Sequence, residues 1–189
     1  MSQLGILKET VSLLKRENIP FMIVGSFVSS LYGEPRSTQD IDLVIQLEKK
    51  HIPVLLSSFQ PPKYYLDEEL ILMAMESKKM FNLLDTEEGD KIDFYIIKNE
   101  AYEKEKFSRR INRMFLEEEL PMLSAEDLII SKLIWCIQSG RSERQLRDAA
   151  GVYRVQKNAL DLEYLERKIK ELNLTDLYDE VKKGSVRDK

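Results

Sequence analysis

Three aspartates in this 189-residue chain have the spacing of a cation-binding site. Asp40 and Asp42 stand one residue apart at the start of the apolar run 43–45, and Asp93 lies inside a later apolar run, 92–97. Side chains alternate along an extended strand, so Asp40 and Asp42 should point to the same face. Two adjacent carboxylates repel each other unless a cation lies between them, and Mg²⁺ favours such oxygen ligands. The pattern predicts a divalent-cation site with these three aspartates as ligands.

A strand-to-helix turn at Gly25 and Ser26 precedes the aspartates. The apolar run 21–24 predicts a buried strand, and segment 26–32 predicts a short helix. Backbone N–H groups at a helix N-terminus, together with the helix dipole, favour a bound phosphate. The chain contains no Gly-x-x-x-x-Gly-Lys-Ser/Thr segment, so no P-loop lysine is available for this task. The turn and the acids together predict a nucleotide phosphate held beside a metal ion.

Each acid also has an interpretation without chemistry. An Asp-x-Asp sequence is common on protein surfaces, and Asp93 could be an edge-strand residue near a turn. However, a buried strand should not begin with two unpaired carboxylates, and an acid inside an apolar run needs a reason to be tolerated. We therefore favour the metal site, with Asp93 as third ligand, as general base, or as both.

The motifs resemble the signature of the nucleotidyltransferase superfamily, which has the DNA polymerase β-like fold. The matching segments are Gly25-Ser26, the run 33–38 and Asp40-Ile41-Asp42, and the resemblance covers roughly residues 20–150. Within the superfamily, the arrangement is most similar to small bacterial nucleotidyltransferases related to the toxins of abortive-infection toxin–antitoxin systems. In that branch a second glycine often stands at the position of Ser26.

The resemblance implies a Mg²⁺- or Mn²⁺-dependent enzyme that transfers a nucleoside monophosphate from an NTP to a hydroxyl and releases pyrophosphate by a two-metal mechanism. It implies nucleotide contacts from Gly25, Ser26, Arg36 and Thr38. The acceptor would be an RNA such as a tRNA 3′ end or a protein side chain, with an antibiotic as a further option, and the role would be toxin-like. Two other classes stay open: a non-catalytic nucleotide-binding or antitoxin-like module on the same fold, and an α/β interaction protein with accidental acids.

Lys132 lies in an otherwise apolar helical segment, with apolar residues at its i±3 and i±4 positions. It could extend its ammonium into water while its stem covers the core. Alternatively, it could reach the triphosphate or an acidic partner such as Asp148. The resemblance places a lysine and an aspartate here facing the cleft, which favours nucleotide binding by Lys132 with Asp148 in support. Trp135, in the same segment, is predicted to belong to the core.

The composition, with 43% hydrophobic residues, suits one domain with an ordinary core or a domain with a small companion. The single Cys136 excludes a disulfide framework. No apolar stretch is long enough to span a bilayer and segment 1–18 has no signal-peptide pattern, so we expect a cytoplasmic protein. The net charge of -4 argues against non-specific wrapping of nucleic acid. Basic residues nevertheless cluster locally: Lys104, Lys106, Arg109, Arg110 and Arg113.

The order of predicted elements indicates an α/β (α+β) nucleotidyltransferase core over residues 1–120, with a mixed sheet flanked by helices, and a C-terminal helical bundle over 121–189. Strands are predicted over 21–24, 40–47, 81–84 and 91–97. Within this second domain, the helical pattern should begin at Ser124. Ser124 and Ser142 are predicted helix N-caps of the capping-box type, and Asp161 is predicted to cap a later helix.

Overall fold

The computed structural model describes residues 4–38, 40–115 and 117–184. The helices are α1 (Leu4–Arg16), α2 (Gly25–Tyr32), α3 (Ile52–Ser58), α4 (Glu68–Ser77), α5 (Ala101–Ser108), α6 (Ala125–Gln138), α7 (Glu143–Gln156), α8 (Leu162–Glu171) and α9 (Thr175–Lys183), with a 3₁₀ turn at Lys49–His51. The strands are β1 (Phe21–Val24), β2 (Asp40–Ile45), β3 (Tyr64–Tyr65), β4 (Met80–Asp85), β5 (Lys91–Ile96), β6 (Ile111–Phe115) and β7 (Glu118–Met122).

The strands form one mixed sheet in the order β3-β4-β5-β2-β1-β7-β6. β2 runs parallel to β5 and β1 runs parallel to β7, whereas the other neighbours are antiparallel. After its two aspartates, β2 continues with Leu43, Val44 and Ile45, all buried. Such a continuous apolar run is expected for a central strand that is covered on both faces. The predicted α+β class, with a mixed sheet flanked by helices and C-terminal helices, is confirmed.

The chain divides into two compact units. The first consists of Met1–Phe27 and Thr38–Met122 and contains the sheet, and the second consists of Val28–Ser37 and Leu123–Lys189. Helix α2 begins in the first unit and ends in the second. The core of the first unit includes Leu14, Met22, Ile23, Ile41, Ile92 and Phe94. The core of the second includes Leu133, Ala149, Val152 and Leu165.

The predicted helix caps have mixed outcomes. Ser124 accepts a hydrogen bond from the Asp127 N–H at the start of α6, and Asp161 accepts one from Tyr164 at the start of α8. Ser142 makes no side-chain cap bond, so the capping box predicted there is wrong. Because the first turn of α7 is exposed, water can satisfy its N–H groups without the serine hydroxyl.

Two further differences concern exposure and strand content. Trp135 is 51% exposed, so its predicted core position is wrong; α6 buries the face that carries Ile129, Leu133 and Cys136 instead. Strands β6 and β7 were not predicted, because charged residues interrupt their apolar alternation. No helix among the described residues is long and apolar enough to cross a membrane.

Candidate active site

The register of two neighbouring strands brings the three predicted acids to one face of the sheet. β2 and β5 are parallel, with Asp40 opposite Lys91 and Asp42 opposite Asp93. Residues that are paired across strands point to the same side, so all four side chains share that face. Asp93 is buried, whereas the Asp40 side chain is 50% exposed. The face therefore runs from solvent at Asp40 to the interior at Asp93.

Gly25 borders the same face because β1 pairs with β2 and places Val24 opposite Asp42. The φ angle of Gly25 is +72°, a left-handed conformation that favours glycine. A Cβ atom at this position would lie 1.9 Å from Asp42 Oδ2 and 2.7 Å from its Cγ. Glycine is therefore needed here so that the Asp42 carboxylate can lie against the first turn of α2, in which Ser26 is the second residue.

The segment that leads into β2 is tied to it by Thr38. The Thr38 hydroxyl donates a hydrogen bond of 3.2 Å to the carbonyl oxygen of Asp40. The hydroxyl proton of Thr38 is therefore used in a hydrogen bond to the backbone where the strand begins. The nucleotide contact predicted for Thr38 stays a prediction, now with a local role beside it.

Lys91 is a member of the site that the sequence reasoning missed. Its Nζ lies 3.0 Å from Asp93 Oδ2 and 3.5 Å from Asp40 Oδ1. The hydrogen bond to Asp93, reinforced by the charges of Asp93 and Asp40, raises the pKa of Lys91 despite partial burial. The signal was available, since Lys91 precedes Asp93 by two residues in a strand and so had to share its face.

Tyr95 is the second missed residue, two positions after Asp93 on the same face of β5. Burial raises the pKa of the Tyr95 phenol, and the charges of Asp42, Asp93 and Asp40 and a hydrogen bond to Asp42 raise it further. The phenol therefore stays neutral at physiological pH and serves as a hydrogen-bond donor to Asp42. This contact orients the carboxylate that Gly25 leaves room for.

The donor set suits a hard divalent cation. Asp93 Oδ1 is buried and has no hydrogen-bond partner, which is energetically unfavourable for a carboxylate oxygen. Asp42 stands directly opposite, and both residues offer oxygen, the ligand that Mg²⁺ prefers. Over residues 4–38, 40–115 and 117–184, however, no three His, Cys, Asp or Glu side chains already form a metal-binding cluster. The ammonium of Lys91 is the cation that links Asp40 with Asp93.

The second unit holds the other predicted charged residues in a network of its own. Arg36 donates to both carboxylate oxygens of Asp148, at 3.1 and 2.9 Å, and Lys132 Nζ lies 2.8 Å from Asp148 Oδ2. The Lys132 and Asp148 side chains are only 6% and 8% exposed, so the ammonium does not extend into water. Burial would raise the pKa of Asp148, but Arg36 and Lys132 outweigh it and the net pKa is lowered.

This network realises one of the two partners considered for Lys132, the acidic one. Arg36 is fixed at both ends, because its carbonyl accepts a hydrogen bond from the Ser30 hydroxyl and its guanidinium donates to Asp148. Bidentate arginine–carboxylate pairs are among the stronger protein ion pairs. Nucleotide binding by Arg36 and Lys132 stays a prediction.

Neither a protein-family model nor a curated protein sequence matches the chain. Solved structures do match it. The crystal structure of ANT(2")-Ia in complex with adenylyl-2"-tobramycin superposes with a TM-score of 0.57 at 16% identity and covers 93% of this chain and 98% of that chain. The fold is that of the nucleotidyltransferases.

Two further structures with this nucleotidyltransferase fold give the same result. The lincomycin-bound lincosamide antibiotic adenylyltransferase LnuA has a TM-score of 0.51 at 11% identity, covering 77% of this chain and 95% of that chain. An antigenic nucleotidyltransferase-like protein from Paracoccidioides brasiliensis has a TM-score of 0.52 at 17% identity, covering 92% and 91%. At these identities the likeness establishes the fold, and the chemistry has to be argued from the residues of this chain.

Proposed function

We propose that this protein is a divalent-cation-dependent nucleotidyltransferase that transfers a nucleoside monophosphate from an NTP to a hydroxyl group. The observation that carries the proposal is the placement of three carboxylates on one sheet face, beside the first turn of α2, with one buried oxygen of Asp93 unsatisfied. The nucleotidyltransferase fold of the chain supports it. A non-catalytic module would have no need to keep all three acids in this register.

Each residue of the site has a task in such a transfer. Asp40, Asp42 and Asp93 would hold Mg²⁺ or Mn²⁺, which when bound polarises the α-phosphate and neutralises the pyrophosphate leaving group. Backbone N–H groups at Gly25 and Ser26 would hold the β- and γ-phosphates. These groups orient the triphosphate before reaction, and orientation supplies much of the acceleration in phosphoryl transfer.

The transfer itself would be a single displacement at the α-phosphorus. The acceptor oxygen attacks the α-phosphorus, the bond from that phosphorus to the bridging oxygen breaks, and pyrophosphate leaves. The Asp93 carboxylate would accept the proton of the hydroxyl as general base. Because the Tyr95 phenol donates to Asp42, that carboxylate is held in orientation during the step.

Two classes of acceptor deserve direct comparison. The sequence resemblance favours a hydroxyl of an RNA or a protein, with a toxin-like role. The basic segment that would attract RNA is partly satisfied internally, since Lys106 pairs with Glu103 at 2.7 Å and Arg110 donates to the Phe107 carbonyl. The second candidate is a small hydroxyl compound. Two proteins that share the fold favour this candidate: ANT(2")-Ia, whose structure contains adenylyl-2"-tobramycin, and the lincosamide antibiotic adenylyltransferase LnuA.

The test is a labelling experiment with each α-³²P-labelled NTP and Mg²⁺. The protein is incubated with total RNA, with cell lysate, and with a panel of aminoglycosides and lincosamides. We expect one NTP to label an acceptor and release pyrophosphate. Labelled RNA or protein would support the first acceptor class, and a labelled small molecule the second.

Two variants make the experiment decisive. Asp42→Asn removes a carboxylate of the site with little change in size and should abolish labelling, while Asp176→Asn changes an exposed carboxylate on α9 and should not. Circular dichroism would verify that both variants fold. Labelling by Asp42→Asn at the wild-type rate would contradict the assignment of the acids, and no labelling of any acceptor by wild type would favour the non-catalytic module.

A further inference from the structure

Lys91 occupies a position that no role in the proposed chemistry explains. Its ammonium bridges Asp93 Oδ2 and Asp40 Oδ1, the inner and outer carboxylates of the acidic face. Asp42, the remaining acid, follows Asp40 by two residues on β2 and lies opposite Asp93 in the strand register. A positive charge at the centre of a proposed cation site must either leave or repel the incoming ion.

The surroundings of Lys91 allow it to leave. The Lys91 side chain is 30% exposed. Lys91 is also the first residue of β5, so its backbone lies at the edge of the acidic face. A lysine side chain has a flexible four-carbon stem, so the ammonium can move into water without a change in the strand. Asp93 cannot follow, because its side chain is only 8% exposed. The exchange of one cation for another can therefore occur by movement of Lys91 alone.

We propose that Lys91 is an exchangeable internal counter-cation, a positioning residue that holds Asp40 and Asp93 together and gives up these oxygens to the divalent metal ion. This inference rests on the proposed function, because it takes the three acids as the metal site. Before metal binds, the ammonium offsets the repulsion between the carboxylates and keeps them in place. It also competes with metal, so that only a divalent ion, with twice the charge, displaces it.

The competition has a measurable sign. In the wild type, metal binding must break the two contacts of the Lys91 ammonium with Asp40 and Asp93. In Lys91→Met these carboxylate oxygens have no ammonium to give up, while the methionine side chain retains the apolar part of the lysine. We expect Lys91→Met to bind Mn²⁺ about tenfold more tightly, which corresponds to about 1.4 kcal/mol. Without metal, the variant should melt at a lower temperature than wild type, because its carboxylates then repel each other without a counter-ion.

The experiment measures Mn²⁺ binding to the EDTA-treated and desalted full chain by electron paramagnetic resonance of the free ion, with no nucleotide present. Lys91→Arg retains the positive charge and should stay near wild-type affinity. Lys182→Met removes the cation of a surface pair with Asp179 on α9 and serves as the control for a general charge effect. If Lys91→Met fails to fold, Lys91→Gln provides the same comparison.

The outcomes separate the exchange from the proposed function. Tighter Mn²⁺ binding by Lys91→Met, with Lys91→Arg and Lys182→Met unchanged, supports the exchange. Equal or weaker binding by Lys91→Met while wild type binds Mn²⁺ overturns the exchange and leaves the metal site standing. Absence of Mn²⁺ binding in every protein overturns both. Loss of labelling with normal Mn²⁺ affinities would count against the transferase proposal alone.

Discussion

Substitution of Gly25 by alanine should damage both the fold and the site, because a Cβ atom would be placed against Asp42. The left-handed backbone at φ +72° disfavours any L-residue, by about 1–2 kcal/mol. In addition the new atom would lie 1.9 Å from Asp42 Oδ2 and 3.0 Å from Asp42 Cβ, so the carboxylate has to turn away. Forcing an extra carbon into a packed position costs about 1–3 kcal/mol more.

Gly89 offers a matched control for the backbone term. Its φ angle is +76°, almost that of Gly25, but a Cβ atom there would meet nothing within 4 Å. Gly89→Ala should therefore cost only the conformational part, about 1–2 kcal/mol, and should leave Mn²⁺ binding intact. The difference between the two variants isolates the contact with Asp42.

Urea denaturation gives the free energies of unfolding, and Mn²⁺ binding reports on the position of Asp42. The extra cost of Gly25→Ala over Gly89→Ala should largely disappear when both are made in an Asp42→Ala background, since the clashing carboxylate is then absent. If Gly25→Ala costs no more than Gly89→Ala and retains Mn²⁺ affinity, the close approach of Gly25 to Asp42 does not matter and this reasoning is refuted.

Three further predictions concern the ion network, the phenol and the helix caps. Asp148→Asn leaves the buried Lys132 ammonium and the partly exposed Arg36 guanidinium without their carboxylate, and it should lower the free energy of unfolding by about 3–5 kcal/mol at neutral pH. Because the folded-state pKa of Asp148 is lowered, its contribution to stability is present above the unfolded pKa of about 3.9 and is lost as pH falls through the folded pKa. Urea denaturation of wild type and variant from pH 7 to pH 3 should therefore show that their difference in unfolding free energy shrinks only at the acid end. A difference that stays constant over this range would contradict the ion network. Tyr95→Phe removes a donor to Asp42 and should lower the labelling rate while changing stability by about 1–3 kcal/mol; an unchanged rate would mean that the phenol does not orient the carboxylate. Ser124→Ala should cost about 1 kcal/mol by thermal denaturation, whereas Ser142→Ala, which removes no cap bond, should cost almost nothing, and equal costs would contradict the capping difference.

The amino-acid sequence alone was sufficient for the elements whose signals are local. Asp40 and Asp42 share a face because side chains alternate along any strand, and this needs no knowledge of the fold. The apolar run after them marked β2 as a central strand, and the buried side chains of that strand agree. The mixed sheet with C-terminal helices followed from the same patterns together with the resemblance to nucleotidyltransferases.

Only the tertiary structure decided which distant residues meet. The sheet register sets Asp42 opposite Asp93 and Asp40 opposite Lys91, and this depends on hydrogen bonds between strands that are far apart in the chain. The strand pattern alone places Lys91 on the same face as Asp93, but the contact of Lys91 with Asp40 depends on β2 lying beside β5.

The same reason applies to the second unit and to the glycine of the turn. Arg36 and Asp148 are 112 positions apart, and no local pattern could show that the guanidinium and Lys132 share one carboxylate. Gly25 was correctly singled out as a turn residue, but its neighbour could be recognised only from the structure, where β1 and β2 bring it against Asp42. Periodicity along the chain determines which face a side chain occupies, whereas packing between elements determines what it contacts there.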